Sequence, residues 1–342
     1  MTKTWIATTY YNPAGYESRK RNYEIFWSTL KIQGAKLITH EIVFPDISSS
    51  DNNLPDDSAD ILIRTETKSK LWHKERAFNL LLDHLPEECE NICFVDCDLI
   101  FENKNWVEDL TVALEKYDII QPFDLFFNIR KGWLDAPGPG WHVTKWAKYA
   151  YWEPGLDLKL DRLNVPYDFF GGHSALYVRE FAREFYDKDD PRLHWYLGHM
   201  GGAIAMKRDI IEKHRFFDKC IVGGGDVVNF CGITGAPEPG RANGNDKKRP
   251  SHWPIIDEEY QRWKSKISSD SYKTTYMKNA CFHLYHGDRA NRQYIDRYNI
   301  LIKNDFSISD LKIEKGSSLY CVEDEALSKQ IEQYFLDRRE DE

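Results

Sequence analysis

Two aspartates one residue apart, Asp96 and Asp98, close the apolar run Asn91-Ile92-Cys93-Phe94-Val95. Residues 92–101 alternate too little for a half-exposed strand and read as a buried central strand that runs into two carboxylates. Residues i and i+2 of an extended strand point the same way, so the spacing predicts that both acids project together from its C-terminal end. Carboxylates that close repel unless a cation or bound hydroxyls take up the charge. The end of a strand in an open α/β sheet is also where ligands usually sit. Taken alone, such a pair is more often two loop aspartates, so its meaning depends on what else the chain carries.

Three further segments bear on it. His283 and His286 stand three residues apart, and on a helical turn or a bent strand end both imidazoles reach one ion. Imidazole with carboxylate suits Mn²⁺ or a similar divalent cation, although two histidines so spaced are often unrelated. In Gly223-Gly224-Gly225-Asp226, three glycines let the backbone pass close to a ligand and hold Asp226 at a loop tip. Asp226 there is either a general base facing a bound substrate or the first-turn acid of a helix whose Val227, Val228 and Phe230 run inward. Upstream, Lys74 and Arg76 form either a solvated helix face or, by charge and reach, a grip on a diphosphate.

These groups must be carried by a frame. Residues 5–10 predict a first strand, 18–32 a helix through Tyr23, Phe26, Trp27 and Leu30, and 35–44 a second strand. A short extended piece at 61–63, a helix at 72–85, the strand at 92–100 and a helix at 106–116 follow. Strand–helix alternation of this kind predicts an α/β fold with a mostly parallel central sheet and helices on both faces. Residues 123–168 crowd Gly, Pro and aromatic residues, among them Trp141 and Trp146, and read as an elaborated lobe and not a separate linker. Helices are expected at 260–267 and 292–302, a mobile loop at 235–253, and, after about Glu325, a charged tail that ends in a frayed helix. The division expected is 1–122 as a first half ending in the aspartate strand, 123–325 as a second half of the same domain, and 326–342 as a charged tail.

Bulk numbers exclude several classes. In 342 residues, 42% are hydrophobic and 30% charged, ordinary for a globular protein with one large core or two modest ones. A formal charge of −9 argues against nonspecific binding of phosphate backbones. The seven cysteines are scattered, with neither a zinc-like CxxC pair nor a secreted disulfide pattern. With no apolar run near the ~18–20 residues of a membrane span, and an opening that reads as a strand, a cytoplasmic setting is expected (a host cytoplasm, if the chain is viral).

Together these residues resemble glycosyltransferases of the GT-A fold, and especially the catalytic region of the β-1,4-galactosyltransferase type. Phe94 to Ile100 is similar to that family's aspartate motif, and Gly201 to Arg208 to its double-glycine strand. Phe217-Asp218 with Gly223 to Asp226 resembles its Gly-Gly-Glu-Asp segment, except that Gly225 stands in place of the Glu. His286-Gly287-Asp288-Arg289 resembles its metal-binding histidine, with His283 where a Met ligand would be. Phage and bacterial glycosyltransferase-like proteins resemble the chain more closely still, sharing Asn12 to Tyr16, Lys74 to Arg76 and the run from His283 to Tyr298. The resemblance implies a metal-dependent transfer, with inversion, of a sugar from a nucleotide sugar, UDP-sugar first, to an acceptor hydroxyl. It implies Mn²⁺ (or Mg²⁺) on Asp98, His283 and His286, and Asp96 at the ribose. Lys74 and Arg76 would meet the diphosphate, Thr8, Thr9, Arg19 and Arg64 would lie near the nucleotide, and Asp226 would be the base. Alternatives are a metal-dependent hydrolase of a nucleotide sugar or phosphoester, and transfer to modified phage DNA bases, which the acidic balance disfavours.

Overall fold

The computed structural model describes residues 3–47, 53–129, 170–185, 198–236, 258–294 and 296–342. The aromatic lobe with Trp141 and Trp146, and all but two residues of the expected loop at 235–253, lie outside the described residues.

Strand β1 (Thr4–Tyr11) is buried along its whole length and sits inside a seven-stranded sheet. After it come α1 (Glu17–Ile32), β2 (Lys36–Val43), β3 (Ile61–Glu66), α2 (Lys74–Leu81) and β4 (Asn91–Val95). Then follow β5 (Leu99–Phe101), α3 (Trp106–Leu114), β6 (Ile119–Gln121), β7 (Leu125–Asn128), β8 (Phe170–His173) and α4 (Ala175–Phe185). The remainder is β9 (Ala203–Lys207), α5 (Arg208–His214), α6 (Gly225–Thr234), α7 (Glu258–Ser268), β10 (Thr274–Tyr276), β11 (Ala280–His283), α8 (Tyr298–Lys303), β12 (Leu311–Ile313), β13 (Tyr320–Val322) and α9 (Glu325–Asp337).

The large sheet runs β3-β2-β1-β4-β9-β6-β10, and only β9 is antiparallel to its neighbours. The mostly parallel α/β sheet expected from the strand–helix alternation is therefore the one observed. From β1 the chain proceeds outward to β2 and β3, then returns to place β4 on the other side of β1. That reversal sets the carboxyl ends of β1 and β4 at the position where open α/β sheets bind ligands. A second sheet, β5-β11-β7-β8, begins with the strand that follows β4 in the chain. Among the described residues no helix is long and apolar enough to cross a membrane.

Three expectations fail here. The strand expected to run through both aspartates stops at Val95. Residues 96–98 make a turn, closed by the Leu99 amide donating to the Asp96 carbonyl at 3.2 Å, before β5 begins. Asp96 and Asp98 therefore do not share one strand face. The expected charged, frayed tail is an ordered helix. Asp324 caps α9 by accepting from the amides of Ala326 and Leu327. Leu327, Ile331, Tyr334 and Phe335 recur at helical spacing and are buried. Phe335 stacks on Trp72, two residues before α2, and meets Tyr11 edge-on at the end of β1. The expected helix at 292–302 is split as well, since Gln293 takes a left-handed φ of 44° and the helix starts only at Tyr298.

Because Ile331 is fully buried, Ile331→Ala is expected to cost about 3 kcal/mol of unfolding free energy by urea denaturation. A loss below about 0.5 kcal/mol, the size expected of an exposed position, would return α9 to the status of an appended tail.

Candidate active site and metal centre

The turn after β4 sends its two acids to different partners. Asp98 faces β11, whose pairing with β5 sets His283 opposite Leu99, and the Leu284 amide donates to the Asp98 carbonyl at 2.8 Å. Asp98 Oδ2 lies 3.5 Å from His283 Nε2 and 3.2 Å from His286 Nε2. The two Nε2 atoms are 3.0 Å apart. Asp98, His283 and His286 thus form a group able to hold a metal ion.

The outer side of each ring says what the inner side carries. His283 Nδ1 lies 2.9 Å from Asn128 Oδ1, brought alongside by the parallel pairing of β11 and β7. An amide oxygen only accepts, so Nδ1 holds the proton and Nε2 presents a lone pair. Asp98 Oδ1 is buried and has no hydrogen-bond partner. Burial opposes ionisation of Asp98, but His283 and His286 outweigh it and hold the carboxyl well below the usual range. The His283 lone pair, with His286 Nε2 and an unpartnered carboxylate oxygen beside it, suits a divalent cation, and the nitrogen–oxygen donor set is common to Mn²⁺ and its neighbours. The residues fit the group.

Asp96 faces the other way. Lys74 Nζ lies 2.5 Å from Asp96 Oδ1 and 2.7 Å from Asp226 Oδ1, so a single ammonium joins the first aspartate to the expected base. Lys74 is the first residue of α2, and Asp226 lies in the first turn of α6. The Trp72 amide donates to the Ile221 carbonyl at 2.9 Å, and Asn79 bonds both the amide and the carbonyl of Phe216. These contacts dock the start of α2 against the glycine loop.

Two glycines act by lacking a side chain. A Cβ on Gly201 would stand 2.6 Å from Asp226 Oδ2, while the Gly202 carbonyl accepts from the Asp96 amide at 2.8 Å. A Cβ on Gly225 would lie 2.2 Å from the carboxyl carbon of Glu75. Glu75 therefore fills the volume a side chain at 225 would need, where the resembled family carries an acid.

The electrostatics of the cluster follow from three carboxyls sharing one lysine. Burial pushes Glu75 up to about 8, with Lys74 pulling the other way. Burial also pushes Asp96 up to about 6, again against Lys74. For Asp226, burial raises and Lys74 lowers, and the net shift is downward. Asp226 keeps 38% of its side chain exposed, so one edge of it faces out of the cluster. Phe78, Phe94, Phe216 and Phe230 wall the cavity beside Asp96 and Asp226.

The remaining expected site residues go elsewhere. Arg76 bonds the Ser318 carbonyl, approaches Asp218 at 3.3 Å and stacks over Tyr320. On helix α2 it lies about 200° around from Lys74. Arg64 is engaged by Glu41, Asp56 and the Leu54 carbonyl beside edge strand β3. Arg19 is bound by Glu340 and the Tyr11 carbonyl. The hydroxyl of Thr8, fully buried, donates to the Val95 carbonyl at 2.6 Å and ties β1 to β4 one residue before Asp96. Thr9, beside it, is buried too. Asn128, Glu75, Glu340 and His199, which stacks on Phe126 at 3.6 Å, join the site without having been singled out by sequence. Glu75 alone offered a signal, as the residue between Lys74 and Arg76.

No protein-family model matches the chain, and no curated protein matches it either. Among solved structures, S. aureus TarS residues 1–349 aligns over 98% of this chain and 71% of its own, with 13% identity and a TM-score of 0.39. The same protein in complex with UDP aligns with 12% identity and a TM-score of 0.36, over 98% of this chain and 70% of its own. A putative nucleotide-diphospho-sugar transferase from Desulfovibrio desulfuricans covers 89% of this chain and 96% of its own, with 11% identity and a TM-score of 0.34. At these scores the likeness is loose, and a functional reading rests on the side chains described above.

The Glu75 carboxyl has a pH signature. Unfolded it ionises near its ordinary 4.5, whereas in the folded chain it keeps its proton to about 8. Between those values the folded state binds the extra proton, so this group's contribution to stability declines as pH rises. Urea midpoints are expected to fall from about pH 5 to about pH 8, and Glu75→Gln to flatten that fall. An equal slope in the variant would show that Glu75 is not the group being titrated.

Proposed function

We propose that the chain is a GT-A-type glycosyltransferase that moves a sugar from a nucleotide sugar, a UDP-sugar first of all, to an acceptor hydroxyl. The observation that carries this reading is the turn at residues 96–98. At the carboxyl end of a central strand it points one acid at a cation-binding trio and the other at a lysine-linked candidate base. Residues 1–122 are then the donor half and 123–325 the acceptor half, with α9 packed across the end of β1.

Asp98, His283 and His286 would hold a divalent cation such as Mn²⁺. When bound, it offsets the charge that builds on the diphosphate oxygens as they leave. Asp96 lines the same cavity as Asp226, where it would accept from ribose hydroxyls. Lys74 supplies positive charge between the donor and acceptor sides. Arg76, Arg64 and Arg19 have no part in that charge, since other groups occupy them. Asp226 would take the proton of the acceptor hydroxyl while that oxygen bonds the anomeric carbon. The bond from this carbon to the diphosphate breaks, and the electron pair leaves with the nucleoside diphosphate. Among the described residues the other two carboxyls of the cluster are engaged, Asp96 by Lys74 and Glu75 by its own proton, which favours Asp226 as a single base and displacement with inversion. Three carboxyls and one lysine also support general base work better than duplex DNA binding.

Incubation with a panel of sugar nucleotides, Mn²⁺ and candidate acceptors is expected to release UDP from at least one donor. Release is expected to stop with EDTA and in Asp98→Asn. Release at full rate without acceptor would favour the hydrolase, and none from any donor would sink the enzyme reading. Asp226→Asn is expected to lower transfer by about 10²–10⁴-fold while UDP affinity is kept. Collapse of UDP affinity would make Asp226 a donor ligand instead.

A further inference from the structure

Residues 338–342 follow α9 and fold back onto the start of α1. Asp341 accepts from the amides of Glu17 and Ser18, at 3.1 and 2.8 Å, so it caps a helix whose own N-cap residue, Tyr16, makes no side-chain capping bond. One residue earlier, Glu340 is 1% exposed. Arg19 reaches its two oxygens at 2.5 and 2.8 Å, and Arg338 Nε lies 2.6 Å from Oε1. The Glu340 Oε2 atom also stands 3.4 Å from His286 Nδ1. That nitrogen is buried and makes no hydrogen bond of ordinary length, and Glu340 is the carboxylate within its reach.

We infer that Glu340 is a positioning residue for the divalent cation, accepting a hydrogen bond from the Nδ1–H of His286 and so turning an Nε2 lone pair toward Asp98 and His283. This rests on the metal reading above. Asn128 already does the same for His283 with a neutral amide. Orientation from behind fixes both the tautomer and the tilt of a ligating imidazole, and a carboxylate in that place also raises its basicity. The 3.4 Å separation is long for a formed hydrogen bond. A positive charge on Nε2 strengthens the Nδ1–H donor and draws it toward the acid, whereas a neutral ring leaves the contact slack. Arg19 and Arg338 hold the carboxylate still, so adjustment falls to the ring of His286. A segment more than fifty residues from the nearest ligand in sequence becomes part of the metal centre.

Mn²⁺ affinity is to be measured directly, without sugar donor, by calorimetry on the full chain and four variants, each checked by thermal melting. Glu340→Asp keeps the charge for both arginines but shortens the arm to Nδ1. It is expected to bind Mn²⁺ about 10–100-fold more weakly than wild type, with a melting temperature near that of wild type. Glu340→Gln keeps the length but is a weaker acceptor, and it is expected to fall between the two. Asp341→Asn weakens the α1 cap alone, so it should lower the melting temperature and leave the affinity unchanged. Wild-type affinity in both Glu340 variants, alongside loss in Asp98→Asn, overturns the role of Glu340 and leaves the metal reading standing. Absence of Mn²⁺, Co²⁺ or Zn²⁺ binding by the wild-type chain overturns both.

Discussion

The site depends on one ammonium placed between two carboxylates. Asp96 and Asp226 come from segments 130 residues apart in number, and each arrives on backbone that tolerates little movement: a strand-end turn and the first turn of a helix. Two such acids repel when brought together, and the repulsion grows as water is withdrawn. Lys74 removes it, touching both at hydrogen-bond distance. The surrounding choices follow. Lysine, a compact charge on a flexible stem, can bridge two single oxygens, whereas a planar guanidinium is built to grip one carboxylate with two. Gly201 and Gly225 leave room for the Asp226 and Glu75 carboxyls. Glu75, left without a cation of its own, keeps its proton.

Both halves of the site hang from the same three-residue turn. A continuous strand would have pointed Asp96 and Asp98 one way and made them competitors for one cation. The turn separates their duties by direction. Asp98 is handed to β11 and the second sheet, Asp96 to α2 and α6. The amide bonds from Asp96 to Gly202 and from Leu284 to Asp98 pin the turn on both sides, so neither acid can swing across to the other's partners without breaking the backbone frame.

Much of the frame was legible because periodicity and burial agree. The strands at β1 and β2 and the helix between them fell within one or two residues of expectation, since an unbroken apolar strand and an i, i+3, i+4 stripe have few competing readings. Asp98, His283 and His286 were legible through donor chemistry. The turn itself was hidden, because Asp-Cys-Asp contains neither Gly nor Pro to announce it. The arginines misled for a different reason. A guanidinium suits a diphosphate and a carboxylate equally. Their actual partners, Glu340 for Arg19 and Asp218 for Arg76, lie 142 or more positions away. The helix in the tail was legible but its order was not, because charge suggested fraying while Leu327, Ile331 and Tyr334 carry a buried helical stripe.

A centre built this way links ligand geometry to the closing of the whole chain. Asp98 enters through the main sheet and His283 through the second sheet. His286 enters through a turn backed by Glu340, whose segment also caps α1. Correct placement of all three ligands requires β1, β4, β11 and the residues after α9 to be in place at once. In the unfolded chain the donors are scattered over about 190 positions, and bringing them together costs chain entropy that no local structure offsets. A cation that binds only the assembled trio then stabilises the folded state by mass action, and its grip extends to the α1–α9 contact. With a cation held by the proposed trio, ligand site and fold closure would be a single equilibrium, with Glu340 at the junction between them.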